Sequence, residues 1–99
     1  MTNEVLLLDD YQRGALATFK KIEDGQAKMY ACFKLCEEAA EVGSPVIKNI
    51  IHGKELDPNN VKLELGDAIY YIAVIAELFG FKLSEVATAN RDKLLARHG

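Results

Sequence analysis

Residues 68–76 read Ala-Ile-Tyr-Tyr-Ile-Ala-Val-Ile-Ala and form the longest uncharged stretch of the chain. This stretch is roughly half of the ~20 residues that a membrane-spanning helix needs. It is apolar on nearly every side of a helix, which predicts burial all round rather than one packed face. We therefore expect a core helix that a second subunit also covers.

The core helix has clear signals at both ends. Asp57 followed by Pro58 is a typical cap-plus-proline start, and Gly80 is a typical C-terminal stop. These signals predict a helix that extends to about Phe79. A last helix is predicted from about residue 84 to residue 97.

Elsewhere, apolar residues recur at intervals of three and four rather than two, which indicates helices rather than strands. The first helix is expected to start near Asp9 and Asp10, which can cap its N-terminus. Lys20 and Lys21 lie near its expected end, and a turn is predicted at residues 23–25.

The second helix is predicted to begin at residue 26 or 27 and to continue at least to Val42. Residues 43–45 read Gly-Ser-Pro, and Ser before Pro is a good helix start. Either the helix kinks here or a new short helix covers residues 46–51. The sequence thus predicts an all-α bundle of four or five helices.

Composition limits the possible classes of protein. The chain has 99 residues, of which 49% are hydrophobic and 27% charged, as in one ordinary globular domain spanning residues 1–99. Because so short a chain buries a limited share of its surface, we expect oligomerisation, as a homodimer or homotetramer, to complete the bundle.

The net charge of −3 and the lack of a long basic block argue against a nucleic acid polymer as partner. No segment reads as a signal peptide or membrane span, so we expect a cytoplasmic protein with no membrane partner.

Two cysteines stand four residues apart on the second predicted helix. Cys32 and Cys36 lack the second Cys pair or the nearby His that a zinc site needs. We expect buried, reduced thiols that pack as small apolar residues.

Two acidic clusters interrupt the apolar helices. The first is Glu37, Glu38 and Glu41, and the second is Glu64 and Asp67. Members three residues apart share a helix face, so two packed helices can aim four carboxylates at one point. No cation follows the first cluster at four-residue spacing to pair with it. Because Mg²⁺ prefers oxygen ligands and is usually held by few carboxylates and a substrate's phosphates, the clusters predict a Mg²⁺ and polyphosphate site.

Three motifs occur in order on successive predicted helices. Residues 37–41 read Glu-Glu-x-x-Glu, residues 64–67 read Glu-x-x-Asp, and residues 90–97 read Asn-x-x-Lys-x-x-x-Arg. This series resembles the signature of the MazG-like nucleoside triphosphate pyrophosphohydrolases, an all-α superfamily. The resemblance covers roughly residues 30–98, and Tyr11-Gln12 is a weaker fourth match. It implies Mg²⁺-dependent hydrolysis, with Mn²⁺ as a substitute, of nucleoside triphosphates to a monophosphate and pyrophosphate.

The resemblance also assigns roles to individual acids. Metal binding falls to Glu38, Glu41, Glu64 and Asp67, whereas Glu37 orients a ligand or a metal-bound water. Glu38 or Glu41 takes a proton from the attacking water. Two departures from the family pattern, a proline after the first motif and a glycine within the second, are expected to alter the helices around the metals.

The same resemblance places the nucleotide against the third and last helices. Lys93 faces the phosphates and stabilises the departing pyrophosphate, and Asn90 hydrogen-bonds near the phosphate or sugar. Arg97 either does the same or holds the last helix in place. Tyr71 matches a position that is aromatic in some relatives and contacts the base, and its alternative interpretation is a core aromatic residue.

Other functions stay open to different degrees. A di-iron or di-manganese carboxylate bundle needs Glu-x-x-His elements, and neither His52 nor His98 stands three residues after a Glu. A non-enzymatic helical interaction module with solvated acidic faces remains an alternative, although it does not explain all three motifs together.

Within the superfamily, the substrate can be a non-canonical triphosphate or a deoxynucleotide, and the enzyme would then serve house-cleaning or nucleotide-pool control. A dUTPase-like or phosphoribosyl-ATP-type enzyme is a further alternative.

Overall fold

The computed structural model describes residues 5–19 and 23–98, and this part of the chain consists of α-helices without a strand. The four helices are α1 (Leu8–Leu16), α2 (Asp24–His52), α3 (Pro58–Leu78) and α4 (Leu83–His98). The prediction of an all-α fold is therefore confirmed. Lys20 and Lys21, expected near the end of the first helix, lie outside the described residues.

α2 is one continuous helix that passes through Pro45. Proline lacks the N–H that would bond the carbonyl of Glu41, yet helical structure continues beyond it to His52. The separate short helix considered for residues 46–51 is therefore wrong. The helix ends at Gly53, whose φ of 65° lies in the left-handed region that favours glycine.

The start of α2 also differs from the expectation. Asp24 and Gly25 form its first turn rather than a separate turn before it. Here the acidic side chain of Asp24 stabilises the N-terminus, where the helix dipole is positive, and its carboxylate pairs with Lys28 at 3.1 Å. The two residues thus belong to the helix that they were expected to precede.

α3 has the predicted ends. The Asp57 carboxylate caps the helix by accepting a hydrogen bond of 3.0 Å from the backbone N–H of Asn59. Pro58 occupies the first position, where its missing N–H has no intrahelical partner to lose. Beyond the other end, Gly80 has a φ of 79°, which is a conformation that glycine adopts without strain.

Asp9 caps a helix other than its own. α1 begins at Leu8 without a side-chain cap, so the prediction that Asp9 and Asp10 cap it is wrong, although both lie in its first turn, where their negative charge favours the N-terminus. The Asp9 carboxylate instead accepts hydrogen bonds from the N–H of Ser84, at 2.9 Å, and from its hydroxyl, at 2.7 Å. These bonds tie α1 to the first turn of α4.

α3 is the central helix of the described residues. It packs against α1, α2 and α4, whereas α2 and α4 make no contact with each other within the described ranges. A small core cluster forms where α1, α3 and the start of α4 meet, and its buried members are Ala15, Ala73 and Leu83. α3 thus holds the acid-bearing helix α2 on one side and the start of α4 on another.

Burial around α3 is incomplete in a single chain. Ala73, Val74 and Ala76 are buried, but Ile72 is 37% exposed, so the expected burial on every side is not reached. The radius of gyration is 15.8 Å, compared with about 13 Å for a compact domain of 100 residues. The chain by itself leaves much apolar surface in solvent.

An exposed apolar surface lies on α2, on the side away from α3. We call it the apolar face of α2, and its exposed members are Met29, Phe33, Cys36, Ala40, Ile47 and Ile51. Their spacing places them along one side of the helix. Cys32 and Cys36 are exposed free thiols, so the prediction that they are buried is wrong. It failed because their apolar neighbours face solvent as well.

None of the helices in residues 5–19 and 23–98 combines the length and apolar character that crossing a membrane requires.

Candidate functional site

Three carboxylates from two helices meet where α2 packs on α3. One oxygen each from Glu38, Glu64 and Asp67 lies within 4.8 Å of the other two. Glu64 and Asp67 are one turn apart on α3, and Glu38 faces them from α2. In the octahedral shell of Mg²⁺, ligand oxygens about 2 Å from the ion lie roughly 3–4 Å from one another, and the three oxygens of the triad lie near that spacing. This acid triad is therefore suited to a hard divalent cation.

Glu41, the fourth acid of the two motifs, lies beside the triad rather than in it. Its side chain is exposed one turn further along α2. Burial raises the pKa of Glu64, and the negative charges of Asp67, Glu41 and Glu38 raise it further. The four carboxylates therefore repel one another, and a bound cation would relieve that repulsion.

A pocket of about 350 Å³ adjoins the triad. Glu41 and Glu64 line it, together with Pro45 and two more acids, Glu55 and Asp57. Because Pro45 has no N–H, the backbone carbonyl of Glu41 lacks its usual helical donor at this wall. The pocket therefore extends the region of negative potential beyond the triad.

The two departures from the family pattern leave both helices continuous. α2 passes through Pro45, and α3 passes through Gly66. No atom lies within 4 Å of the position that a Cβ on Gly66 would take. Neither residue therefore ends a helix at the acids, and Pro45 alters α2 locally because it leaves the carbonyl of Glu41 without its helical donor.

Lys34 is a site residue that sequence reasoning missed. Its Nζ lies 3.2 Å from Glu37 Oε1 and 3.8 Å from Glu38 Oε1. A hydrogen bond to Glu37, together with its charge, raises the pKa of Lys34. The spacing rule predicts a cation four residues after the acids, whereas Lys34 stands three residues before Glu37 and four before Glu38. Glu37 thus forms an ion pair with Lys34 at the edge of the triad.

Tyr71 lies on α3 one turn beyond Asp67, where it interacts electrostatically with Lys34. It is half-buried, and its ring meets that of Tyr70 edge-on with 4.9 Å between centroids. Burial raises the pKa of Tyr71, and the charge and hydrogen bond of Tyr30 raise it further, whereas the charge of Lys34 lowers it. Tyr71 is thus a partly accessible aromatic residue next to Tyr30 and Lys34, rather than a fully buried core residue.

The third motif lies apart from the acids in the single chain. Asn90, Lys93 and Arg97 are exposed on α4, which makes no contact with α2 within the described residues. Neither the triad nor its adjoining pocket includes them. The structure therefore brings together the acids of the first two motifs and leaves the third on an exposed helix.

In a comparison with known protein families, the model of the MazG nucleotide pyrophosphohydrolase domain matches residues 27–99. The matched range contains α3, α4 and nearly all of α2, and with them the triad, Glu41 and the third motif. Searches of curated proteins and of solved structures gave no significant match. The resemblance inferred from the sequence is confirmed, because the match covers well over half of the chain. The chain therefore belongs to the MazG nucleotide pyrophosphohydrolase family.

Proposed function

We propose that this protein is a Mg²⁺-dependent nucleoside triphosphate pyrophosphohydrolase that releases a nucleoside monophosphate and pyrophosphate. Membership of the family supports the reaction class. The observation that supports the metal requirement is the convergence of Glu38, Glu64 and Asp67 within 4.8 Å. Residues 1–99 would act as a single catalytic domain.

The triad would hold the cation, and Glu41 would lie beside it on the next turn of α2. When bound, Mg²⁺ or Mn²⁺ would supply positive charge that activates a water and offsets the charge of the leaving pyrophosphate. The raised pKa of Glu64 supports this assignment, because burial and then the neighbouring carboxylates disfavour its negative charge, which a bound cation would stabilise. The donor set consists only of carboxylates, which suits these hard ions.

Glu41 is the better candidate of the two proposed general bases. One oxygen of Glu38 belongs to the triad, and its carboxylate also lies 3.8 Å from Lys34. Glu41 is exposed and lies outside the triad, so its carboxylate is free to take a proton from the attacking water. Glu38 would then serve chiefly to hold metal.

The nucleotide base would lie against Tyr71, whose half-buried ring offers an aromatic surface next to the acids. Asn90, Lys93 and Arg97 would contact the phosphates or sugar. Since α4 does not touch α2 within the described part of one chain, we propose that these residues reach the acids of a neighbouring subunit in a homodimer or homotetramer. The apolar face of α2 supports such an assembly, because so large an exposed apolar surface is typical of an interface.

The proposed function is tested by product analysis on purified protein. The substrates are the canonical triphosphates, dUTP, oxidised or deaminated triphosphates and phosphoribosyl-ATP, each with Mg²⁺ and with EDTA. We expect equimolar monophosphate and pyrophosphate from at least one triphosphate, and no product with EDTA. Release of orthophosphate, or turnover in EDTA, would contradict the proposal.

The same panel separates the alternatives. Turnover restricted to dUTP or to phosphoribosyl-ATP would identify one of the related enzymes, and a preference for damaged triphosphates would indicate house-cleaning. A stable oligomer without turnover of any substrate would favour the interaction module.

Subunit sharing of the site has its own test. We expect Glu41→Gln and Lys93→Ala each to be inactive alone and to regain activity when the two proteins are mixed under subunit exchange. Absence of recovery in mixed oligomers would place Lys93 at the site of its own chain.

A further inference from the structure

Lys34 lies at the junction of two parts of the proposed site. Its Nζ is 3.2 Å from Glu37 Oε1 and 3.8 Å from Glu38 Oε1. Tyr30 lies one turn before Lys34 on α2, and both Tyr30 and Tyr71 interact electrostatically with its ammonium group. Its side chain keeps 28% of its surface exposed, so the ammonium group is accessible to a ligand.

We propose that Lys34 is a substrate-binding residue that contacts the polyphosphate of the nucleotide. The inference rests on the proposed function, in which metal binds at Glu38 and the base lies against Tyr71. The phosphates must then span the space between these two residues, and Lys34 occupies that space from one turn before Glu38. A lysine ammonium group binds phosphate oxygens through charge and up to three hydrogen bonds.

The same ammonium group has a different partner before substrate arrives. Within the chain, Lys34 offsets part of the negative charge of Glu37 and Glu38. A divalent cation at Glu38 would repel the ammonium group, and the incoming phosphates would then provide a new anionic partner. Lys34 would thus exchange a carboxylate for a phosphate as the site fills.

This exchange predicts two effects of opposite sign when the charge of Lys34 is removed. Metal alone should bind more tightly, because a competing positive charge has left the neighbourhood of Glu38. Polyphosphate should bind less tightly, because a charge-assisted contact is lost. A purely structural role for Lys34 predicts neither effect, and general damage to the site predicts weaker binding of both.

The test uses Lys34→Met and Lys34→Arg in the full chain, with Lys48→Met as the control. Lys48 is exposed on the same helix, so its substitution removes the same charge outside the triad. Mn²⁺ binding alone is measured by electron paramagnetic resonance, and binding of inorganic tripolyphosphate with saturating Mg²⁺ is measured by calorimetry. KM and kcat follow for the triphosphate that the wild type hydrolyses best.

For Lys34→Met, we expect Mn²⁺ affinity to rise roughly two- to fivefold and tripolyphosphate affinity to fall about tenfold. KM should rise by a similar factor with a smaller change in kcat, and Lys34→Arg should recover most of the tripolyphosphate affinity. Tripolyphosphate affinity within twofold of that of Lys48→Met, or weaker Mn²⁺ binding, would overturn the inference. If Lys34→Met fails to fold by circular dichroism, Lys34→Gln takes its place under the same criteria.

Failure of the inference is distinguishable from failure of the proposed function. A wild-type protein that hydrolyses nucleotides while Lys34→Met binds tripolyphosphate normally would refute the role of Lys34 alone. A wild-type protein that hydrolyses no nucleotide would refute the proposed function, and the two binding measurements would still decide whether Lys34 contacts phosphate.

Discussion

The side-chain oxygen of Gln12 accepts a hydrogen bond of 2.8 Å from the backbone N–H of Leu83, the first residue of α4. The amide nitrogen of Gln12 donates to the carbonyl of Phe81 at 3.0 Å. Gln12 is only 4% exposed, so a single buried side chain satisfies two backbone groups at the turn between α3 and α4. It thereby fixes where α4 starts relative to α1.

We expect Gln12→Leu to reduce the free energy of unfolding by about 1–3 kcal/mol, because the N–H of Leu83 would stay buried without a partner. Urea denaturation measures this change. Gln26→Leu, at an exposed position on α2, is the control and should leave the midpoint unchanged. Equal midpoints for the two variants would show that the turn does not depend on the Gln12 amide.

The second prediction concerns Asp9 and acid. Hydrogen bonds from the backbone and hydroxyl of Ser84 lower the pKa of Asp9 in the folded protein below its ordinary value. An acid with a lowered folded-state pKa stabilises the fold above its unfolded-state pKa and loses that contribution as pH falls through the folded-state pKa. Asp9→Asn should therefore be less stable than wild type at neutral pH, and the difference should disappear at strongly acidic pH.

Stability measured by denaturation from about pH 6 to pH 2 tests this expectation. Asp10→Asn is the matched control, since Asp10 pairs only with the exposed Arg13 among the described residues. A stability difference for Asp9→Asn that stays constant over the whole range would contradict the role of its charge.

The third prediction concerns Glu64 and the cation. Burial and the neighbouring carboxylates raise the pKa of Glu64, so its negative charge opposes folding once the pH exceeds its unfolded-state pKa. In EDTA at neutral pH, Glu64→Gln should therefore melt at a higher temperature than wild type, and the gain should vanish below about pH 4. With millimolar Mg²⁺ the order should reverse, because only the wild type keeps the full triad.

The melting temperatures of wild type and Glu64→Gln, measured by thermal denaturation in EDTA and in Mg²⁺, test this prediction. Glu23→Gln, at an exposed position at the start of α2, is the control. If Glu64→Gln melts below wild type in EDTA, repulsion within the acids is not the dominant effect at this position.

Much of the fold followed from local signals that act over a few residues. The cap at Asp57 and the stop at Gly80 are determined by nearby backbone geometry, so the ends of α3 were predictable. Pro45 was ambiguous, because a proline can start a helix or lie within one, and packing of α2 on α3 decides between these outcomes. The role of Asp9 was not predictable, because its partner Ser84 is 75 positions away.

In the candidate site, too, features with local signals were predictable from the sequence, and features that depend on distant residues were not. Helical spacing on two helices selected four acids, Glu38, Glu41, Glu64 and Asp67. The structure places three of them together and leaves Glu41 beside them. The third motif was associated with them by family resemblance, not by spacing, and the single chain leaves Lys93 exposed on α4. Lys34 had a local signal, because an acid follows it at both three and four residues, and these are the spacings at which side chains pair on a helix.

The fourth prediction separates the general base from the metal ligands. Glu41 lies outside the triad, whereas Asp67 belongs to it. Glu41→Gln should therefore lower kcat by roughly 10²–10⁴-fold, the usual contribution of a general base, while Mn²⁺ affinity falls only slightly. Asp67→Asn should abolish Mn²⁺ binding and turnover together. Mn²⁺ titration beside steady-state kinetics gives both quantities, with unchanged helix content as the check on folding. Loss of Mn²⁺ binding in both variants would make Glu41 a metal ligand, and the proton would then need another acceptor.

The last prediction concerns the apolar face of α2. Phe33 is 70% exposed on this face, and burying such a side chain against a second subunit contributes roughly 1.5–3 kcal/mol. A charge at the centre of the interface would cost more, because it would be buried without a partner. Phe33→Glu should therefore shift the protein towards monomer in sedimentation velocity at micromolar concentration, whereas Asn59→Glu, which adds the same charge at the start of α3, should not. If α4 supplies Lys93 to a neighbouring subunit, turnover by Phe33→Glu should fall with dilution in parallel with the oligomer. Full turnover by the monomer would refute a shared site even if the interface itself is correct.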